Sequence, residues 1–336
     1  MRVYLKLLVL LLLALTGLAL YLNWTGDRRS GPLLSDLRTL PIHSVGLPGD
    51  DGNLLGIETR LQPADYQSPQ RLRLKFATYL DQARAAGLLN AKTIVVLPEH
   101  VGTGLFALGE KPEVQQARTL RDAMQWTALS NPGRYLRALT GNQQKDDRRT
   151  EAVLLLKAKR MAEAYQAIFG ELAAHYGVTL VAGSIVLPEP RLEDGRLRIG
   201  EGPLRQISLT FDRSGQPIEP LQYKRALGRY ERRYSAAPEH IQRQTLATPA
   251  GPLAVLIGCD AYREPPPADA VLLAVPGARD DWAEACPGSA GIAADGRPYM
   301  AVRTLGVPWN LLGSPRKPAR NLHGTPVQLT NLWLQP

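Results

Sequence analysis

The sequence predicts an α/β domain, a sheet covered by helices, behind one N-terminal membrane helix. Three observations predict it. Leu7 to Leu22 is a sixteen-residue run without a charge. Between Leu54 and Tyr176, short β-branched runs alternate with apolar residues at helical spacing, the pattern of a sheet with helices packed on it. After Val178, strand signals dominate.

The apolar run follows a basic start formed by Met1, Arg2 and Lys6. Sixteen residues fall short of a ~30 Å hydrocarbon core. Val3, Tyr4, Leu5, Asn23 and Trp24 extend it if Lys6 snorkels, and Trp24 lies where an interfacial aromatic belongs. A cleaved signal peptide and an uncleaved anchor both fit. Ala14 and Ala19 are separated by bulky residues and make no small-x-small cleavage site before Asp27, which favours the anchor. Arg2, Lys6 and the amino terminus precede the run, while Arg28 and Arg29, offset partly by Asp27, follow it. That balance favours the amino terminus inside and the rest outside the cytoplasm, which is the periplasm if the cell is Gram-negative. Residues 1–26 are thus the anchor or signal, 27–44 a linker, and 45–336 the domain.

Elements follow in order. Leu54 to Leu61 reads as a strand, Arg71 to Leu88 as a helix ending at Gly87, and Thr93 to Leu97 as a buried strand. Leu105 to Arg149 is irregular, with Pro132-Gly133 and the charged stretch from residue 145 to Arg149, and reads as a solvated loop or insertion. From Glu151 to Tyr176, Leu154, Ala158, Met161, Tyr165, Ile168, Leu172 and Tyr176 recur at helical spacing, and Gly177 stops the helix. Val178 to Leu187 and Leu204 to Phe211 read as strands, and the turn Asp212 to Gly215 leads into another ending at Tyr223. Pro252 to Gly258 is almost wholly apolar, so it is expected to be buried on both faces. Ala270 to Val275, Pro298 to Leu305 and Val327 to Leu334 complete the set.

Composition removes several classes. With 44% hydrophobic and 21% charged residues in 336, the chain is neither disordered, collagen-like nor a polytopic membrane protein. Its net charge of +9 comes from scattered basic residues, mostly Arg. The densest stretch, Lys224 to Arg233, holds five basic residues and one Glu. No helix-turn-helix, RNP or zinc-finger spacing accompanies them, so no nucleic-acid partner is expected. A solvated basic surface is the plain explanation, and attraction to anionic lipid headgroups its main competitor. Two cysteines exclude a disulfide scaffold and a Cys-rich zinc module.

Three residues could carry chemistry. Cys259 ends an apolar strand and precedes a polar turn, where α/β folds place reactive groups. It could equally be inert filler, or be joined to Cys286 in an oxidising compartment. Glu99 follows the strand Thr93 to Leu97 and Pro98. A carboxylate there can be desolvated toward general-base use, or be an ordinary surface acid. Lys224 follows Tyr223 at a strand end. Together, Glu, Lys and Cys at strand ends are the parts of thiol acyl chemistry. The thiolate attacks a carbonyl or nitrile carbon. The carboxylate takes the thiol proton, passes it to the leaving amine and then activates water. The ammonium and a backbone N–H beside the Cys stabilise the oxyanion. The three groups are expected to meet at the bottom of a pocket. A nucleophile must stay free, so Cys259 and Cys286 are expected to be unbonded.

These segments resemble the carbon–nitrogen hydrolase (nitrilase) superfamily. Ile94 to Glu99 resembles its Glu motif, and Tyr176 to Ser184 its strand before the hairpin. Leu209 to Gly215 with Tyr223-Lys224 resembles its Lys segment, and Thr248 to Gly251 with Ile257 to Asp260 its nucleophile strand. The resemblance spans about residues 50–336. It implies an α-β-β-α sandwich and a second glutamate after the lysine. Glu231, seven residues beyond Lys224, is the acid nearby, one residue short of the usual offset; it could also be a solvated acid among arginines. Asp260 directly after the Cys, with Tyr262 later, departs from the aromatic-then-acid order of the family. Gly296-Arg297-Pro298, within residues 294–300, resembles a segment of the apolipoprotein N-acyltransferase branch, whose multi-helix membrane unit this chain lacks.

The sequence therefore supports a membrane-anchored thiol hydrolase of a non-peptide carbon–nitrogen bond. An N-acyltransferase passing the acyl group to an amine is the alternative, and a non-catalytic binding member a further one. The expected partners are a small amide or acyl substrate and the membrane, with a homo-oligomer left open. No cofactor and no metal are called for.

Overall fold

The computed structural model describes residues 2–28, 35–140, 146–239, 242–263, 265–278, 286, 296–319 and 326–335. Parts of the expected linker (29–34), of the charged stretch (145) and of the segment before Gly296 (294–295) lie outside them. The chain runs α1 (Arg2–Gly26), β1 (His43–Val45), β2 (Asn53–Glu58), α2 (Pro69–Ala85), β3 (Thr93–Val96), α3 (Pro112–Gln116), α4 (Leu120–Ser130), α5 (Pro132–Thr140) and α6 (Arg148–Tyr176). It continues β4 (Thr179–Val181), β5 (Ile185–Pro188), β6 (Arg191–Glu193), β7 (Arg196–Arg198), β8 (Leu204–Phe211), β9 (Pro217–Tyr223), β10 (Leu253–Val255), α7 (Asp260–Arg263), β11 (Leu272–Ala278), β12 (Tyr299–Arg303) and β13 (Gln328–Trp333).

Eight strands form one mixed sheet in the order β1-β13-β2-β3-β4-β8-β5, with β9 also paired to β8. Its centre, β2-β3-β4, is parallel. A second sheet, β10-β11-β12, is parallel throughout. The two-residue period of a strand decides what each face buries. On β3, Val95 points into the core shared with α2 and α6, where Phe76, Tyr165 and Phe169 pack. Its neighbours Ile94 and Val96 point the other way, onto Leu253, Val255, Leu272 and Met300. Both faces are dry, which is why these strands read as unbroken apolar runs. The layers are helix, large sheet, small sheet. On the outer face of the small sheet, Ala254, Leu256, Leu273 and Val275 pack with Cys259, Tyr262 and Cys286.

Most elements lie where the sequence places them, and their ends follow local chemistry. Ser68 caps α2 by accepting from the Arg71 N–H, with Pro69 in the first turn. Gly177 closes α6 in the left-handed region, its N–H bonded to Ala173 O. Two expectations need correction. The irregular stretch from Leu105 to Arg149 contains α3, α4 and α5. Pro112 and Pro132 sit in first turns, where the missing N–H costs nothing, so they start helices instead of breaking them. The expected single strand Val178 to Leu187 is split into β4 and β5. Between them, Ser184 leaves the ladder: its Oγ accepts from the His100 N–H at 2.8 Å and its carbonyl from the Gly102 N–H at 2.9 Å.

α1 is a 25-residue helix of mean hydropathy 2.4 in its most apolar window. Its length is about 37 Å, enough for a ~30 Å hydrocarbon core. None of its residues is buried in the protein. Among the described residues, only its last turns touch the body: the Tyr21 hydroxyl donates to Leu129 O at 2.7 Å, and Trp24 lies beside Trp126 and under the Lys111 ammonium. Residues after the helix are also held. Leu40 and Val327 are bonded backbone to backbone, and Lys75 ties Asp36 O and Ser35 to the buried Asp65.

Candidate active site

Three strand ends and one strand interior supply the site. β3 runs into Leu97-Pro98-Glu99, β9 ends one residue before Lys224, and the run that begins as β10 continues to Gly258-Cys259. That run stays in register with β11 beyond its last ladder pair: Leu256 N–H donates to Ala274 O at 2.9 Å and Gly258 N–H to Pro276 O at 2.8 Å. Gln206, on β8, faces the same point.

The Lys224 ammonium lies between two carboxylates, donating to Glu99 Oε1 at 2.7 Å and to Glu231 Oε1 at 2.6 Å. All three side chains are at most 2% exposed. Burial alone would lower the lysine pKa, but Glu231 and Glu99 outweigh it and hold the ammonium raised. Burial alone would raise the Glu231 pKa; Lys224 first, then His100, bring it down to about 2. Gly228 N–H donates to the other Glu231 oxygen at 2.5 Å. Glu99 Oε1 also accepts from Gln206 Nε2 at 2.8 Å, and Gln206 reaches Ser184 Oγ at 2.9 Å. The sequence-expected Glu99, Lys224 and Glu231 thus form one buried cluster.

Glycine backbone closes the cluster on the other side. A Cβ on Gly258 would sit 3.0 Å from both Glu99 oxygens and 3.2 Å from Lys224 Nζ. A Cβ on Gly277 would sit 2.4 Å from Glu99 Oε2, and its φ of +95° disfavours any side chain. Cys259, next to Gly258, therefore enters the chain beside the carboxylate and the ammonium. Its sulfur is not free. Cys259 and Cys286 form a disulfide, with Cα atoms 5.2 Å apart and Cys286 fully buried. This corrects the expectation that the two are unbonded. Cys286, twenty-seven positions on, packs on the same apolar patch of the small sheet. In this state the Asp260 N–H donates to Ile257 O at 3.2 Å, so it does not point at a substrate oxygen.

Asp260 holds the loop after Lys224. Its carboxylate accepts from the Arg225 N–H at 3.1 Å and the Ala226 N–H at 2.6 Å, and Arg243 lies 3.3 Å away. Burial raises its pKa, against Arg243 and these bonds.

Sequence reasoning missed two residues. His100 is buried in a left-handed conformation at φ 60°, with Nδ1 3.0 Å from Thr103 Oγ1 and Nε2 3.3 Å from Glu231 Oε1. Its position directly after Glu99 was the available signal. Gln206 lies mid-strand in an ordinary apolar pattern and gave none. Glu99, His100 and Glu231 are close enough to share a metal ion. Lys224 Nζ, however, already sits on the two oxygens that would face it, so the cation of this cluster is the ammonium.

No protein-family model matches the chain, and no curated protein does. Solved structures are similar at low identity. An amidase from Neterenkonia sp. AN1, NitN, is 16% identical, with a TM-score of 0.39 over 69% of each chain. A carbon–nitrogen hydrolase from Helicobacter pylori G27 is 16% identical, with a TM-score of 0.40 over 68% of this chain and 62% of that one.

Proposed function

We propose that the chain is a membrane-anchored thiol hydrolase of a non-peptide, amide-type carbon–nitrogen bond, acting when Cys259 is reduced. The observation that carries this reading is the buried Lys224 ammonium, held between Glu99 and Glu231 with the Gly258-Cys259 turn against it. A buried lysine shared by two carboxylates is a poor structural device, because desolvation offsets most of the attraction. As catalytic equipment it is coherent. Glu99 accepts the Cys259 proton, and Sγ attacks the carbonyl carbon. Lys224 faces the oxyanion, while Glu231 and His100 hold Lys224 in place. Collapse expels the amine with the proton from Glu99. Glu99 then deprotonates water, which attacks the thioester and releases the acid and the thiol. An amine in place of water would make the same centre an acyltransferase, so the physiological acceptor separates the two.

The disulfide must open first. A first reductant thiol forms a mixed disulfide with one cysteine and releases the other as thiolate; a second thiol resolves the mixed disulfide, leaving both cysteines reduced and the reductant oxidised. A persistent disulfide accords with a domain outside the cytoplasm. The same bond favours one second reading, a non-catalytic binding member whose cysteines are structural. Pairing of β1 and β13 beside β2 joins the two ends of the sheet-forming sequence and supports one catalytic unit that begins at His43, slightly ahead of the expected boundary at 45. The 25-residue apolar α1 supports the anchor.

The test is turnover of a panel of short aliphatic amides, measured as released ammonia, by the full-length protein with and without dithiothreitol. Reduced wild type is expected to turn over at least one amide and reduced Cys259→Ala none. Turnover by Cys259→Ala would remove the thiol mechanism. Silence of the reduced wild type together with no acyl adduct would favour the binding member.

A further inference from the structure

At the foot of α1 the chain builds a cationic cavity that the proposed chemistry does not use. Its volume is about 310 Å³, and Arg28, Arg134, Lys157 and Arg160 line it together with Asn131 and Leu156. Three arginines gather there with Lys157, whose pKa is lowered to about 7 by burial, then by Arg28 and Arg160; among the described residues, one carboxylate serves them. Glu110, fully buried behind the wall, pairs with Arg28 Nη1 at 2.6 Å and closely with Lys157 Nζ. Among the described residues, neither Arg134 nor Arg160 has a carboxylate within ion-pair distance, and both are exposed toward the opening. Arg134 and Arg160, lining one cavity with no such partner, favour an anion that joins them. Arginines at two sides of a cavity suit the several oxygens of a phosphate group.

The cavity's place in the fold says where that phosphate comes from. Trp24, at the end of the apolar helix, is four residues from Arg28, no more than about 14 Å of chain. Arg28 is fixed to the cavity wall by its bonds to Glu110, to Ser130 O and to Asn131 Oδ1, both at 3.0 Å. α4 and α5, on either side of Asn131, expose Trp126, Leu129 and Leu136, at 38%, 41% and 58%. Apolar side chains flanking a cationic pocket are the features of a surface seated in the headgroup layer.

We propose that this cavity binds the headgroup phosphate of an anionic phospholipid and so fixes the orientation of the domain on the membrane. The inference rests on the reading of α1 as an uncleaved anchor. The test uses the full-length protein. Carbonate-washed membranes and intact mass first establish that residues 1–26 remain and insert. The protein is then extracted in neutral detergent and titrated with dioleoyl-phosphatidylglycerol or dioleoyl-phosphatidylcholine, and bound lipid is counted by native mass spectrometry. A parallel arm offers inorganic phosphate alone. Phosphatidylglycerol should be retained over phosphatidylcholine, and Arg134→Gln and Arg160→Gln should each lower its retention about fivefold. Both positions are exposed, so the variants should fold, and an unchanged melting temperature checks this. Equal retention of the two lipids by the inserted protein, or wild-type retention in both variants, would overturn the site alone. Inorganic phosphate binding as well as phosphatidylglycerol would overturn the lipid source. A cleaved or carbonate-released protein would overturn the anchor, and the lipid assignment with it.

Discussion

Cys259 is bonded to Cys286, one residue from the glycine that packs on Glu99 and Lys224. On the proposed reading, the nucleophilic thiol is held in a bond that must break before it can act. Beside it Glu99 and Lys224 are already paired and dry. Chemistry and redox state are linked at a single sulfur.

This linkage separates the two cysteines experimentally. Each Ala variant loses the same disulfide, worth about 3.5 kcal/mol in a loop of this size. Cys286→Ala should nevertheless be active on a responsive amide without reductant. Cys259→Ala should lose on the order of 10⁴-fold or more in rate under all conditions, as for other removed nucleophiles. Amide hydrolysis assays of both variants, with and without dithiothreitol, check this.

Lys224 stands between two buried carboxylates, so removing its charge strands both. Lys224→Met should destabilise the fold by about 3–5 kcal/mol, the cost typical of breaking a buried pair. It should also abolish turnover in whatever fraction remains folded. Urea denaturation together with activity per folded molecule measures the two effects.

The acid limb of stability should carry the signature of Glu231. Its folded pKa, about 2, lies below the ordinary 4.5, because Lys224 and then His100 outweigh burial. A depressed carboxylate stabilises fully above its unfolded value, and that contribution is lost as pH falls through its folded one. The loss should therefore fall between about pH 4.5 and 2. Glu231→Gln should show a shallower fall than wild type across that window in denaturation curves taken at several pH values. Parallel curves would contradict the assignment.

Truncation should be sensitive to two residues. A chain beginning at Asp27 keeps Arg28 on the buried Glu110 and should be soluble and folded. One beginning at Ser30 leaves that carboxylate with Lys157 and Asn131, and should be less stable by about 1–3 kcal/mol. Denaturation midpoints of the two proteins give the comparison.

Much of this was legible in the sequence, for physical reasons that differ by element. β3 and the β10 run declare themselves because both faces of each are buried, so nearly every residue is apolar. α6 is legible from seven apolar positions at one spacing and a glycine stop. Glu99 and Lys224 could be found because strand ends and sparse lysines mark them, whereas Glu231 was reached only through the family resemblance and its spacing from Lys224. α3 to α5 were hidden because each is short and two begin with the proline that usually signals a break. Gln206 was hidden because its partners, Glu99 and Ser184, are distant in sequence. The state of Cys259 was hidden for a related reason: a free thiol and half a disulfide are the same letter, and only folding brings Cys286 within 5.2 Å, Cα to Cα.

The most direct measurement is the site of acylation. The full-length protein, reduced with dithiothreitol and freed of it, is mixed with p-nitrophenyl hexanoate, an activated acyl donor, quenched in acid and mapped by peptide mass spectrometry. The account predicts a hexanoyl thioester on Cys259, little on Cys286, none in unreduced protein, and strong loss of the adduct in Glu99→Gln. Equal labelling of the two cysteines, or labelling of Cys259 at the same rate in Glu99→Gln, would contradict it.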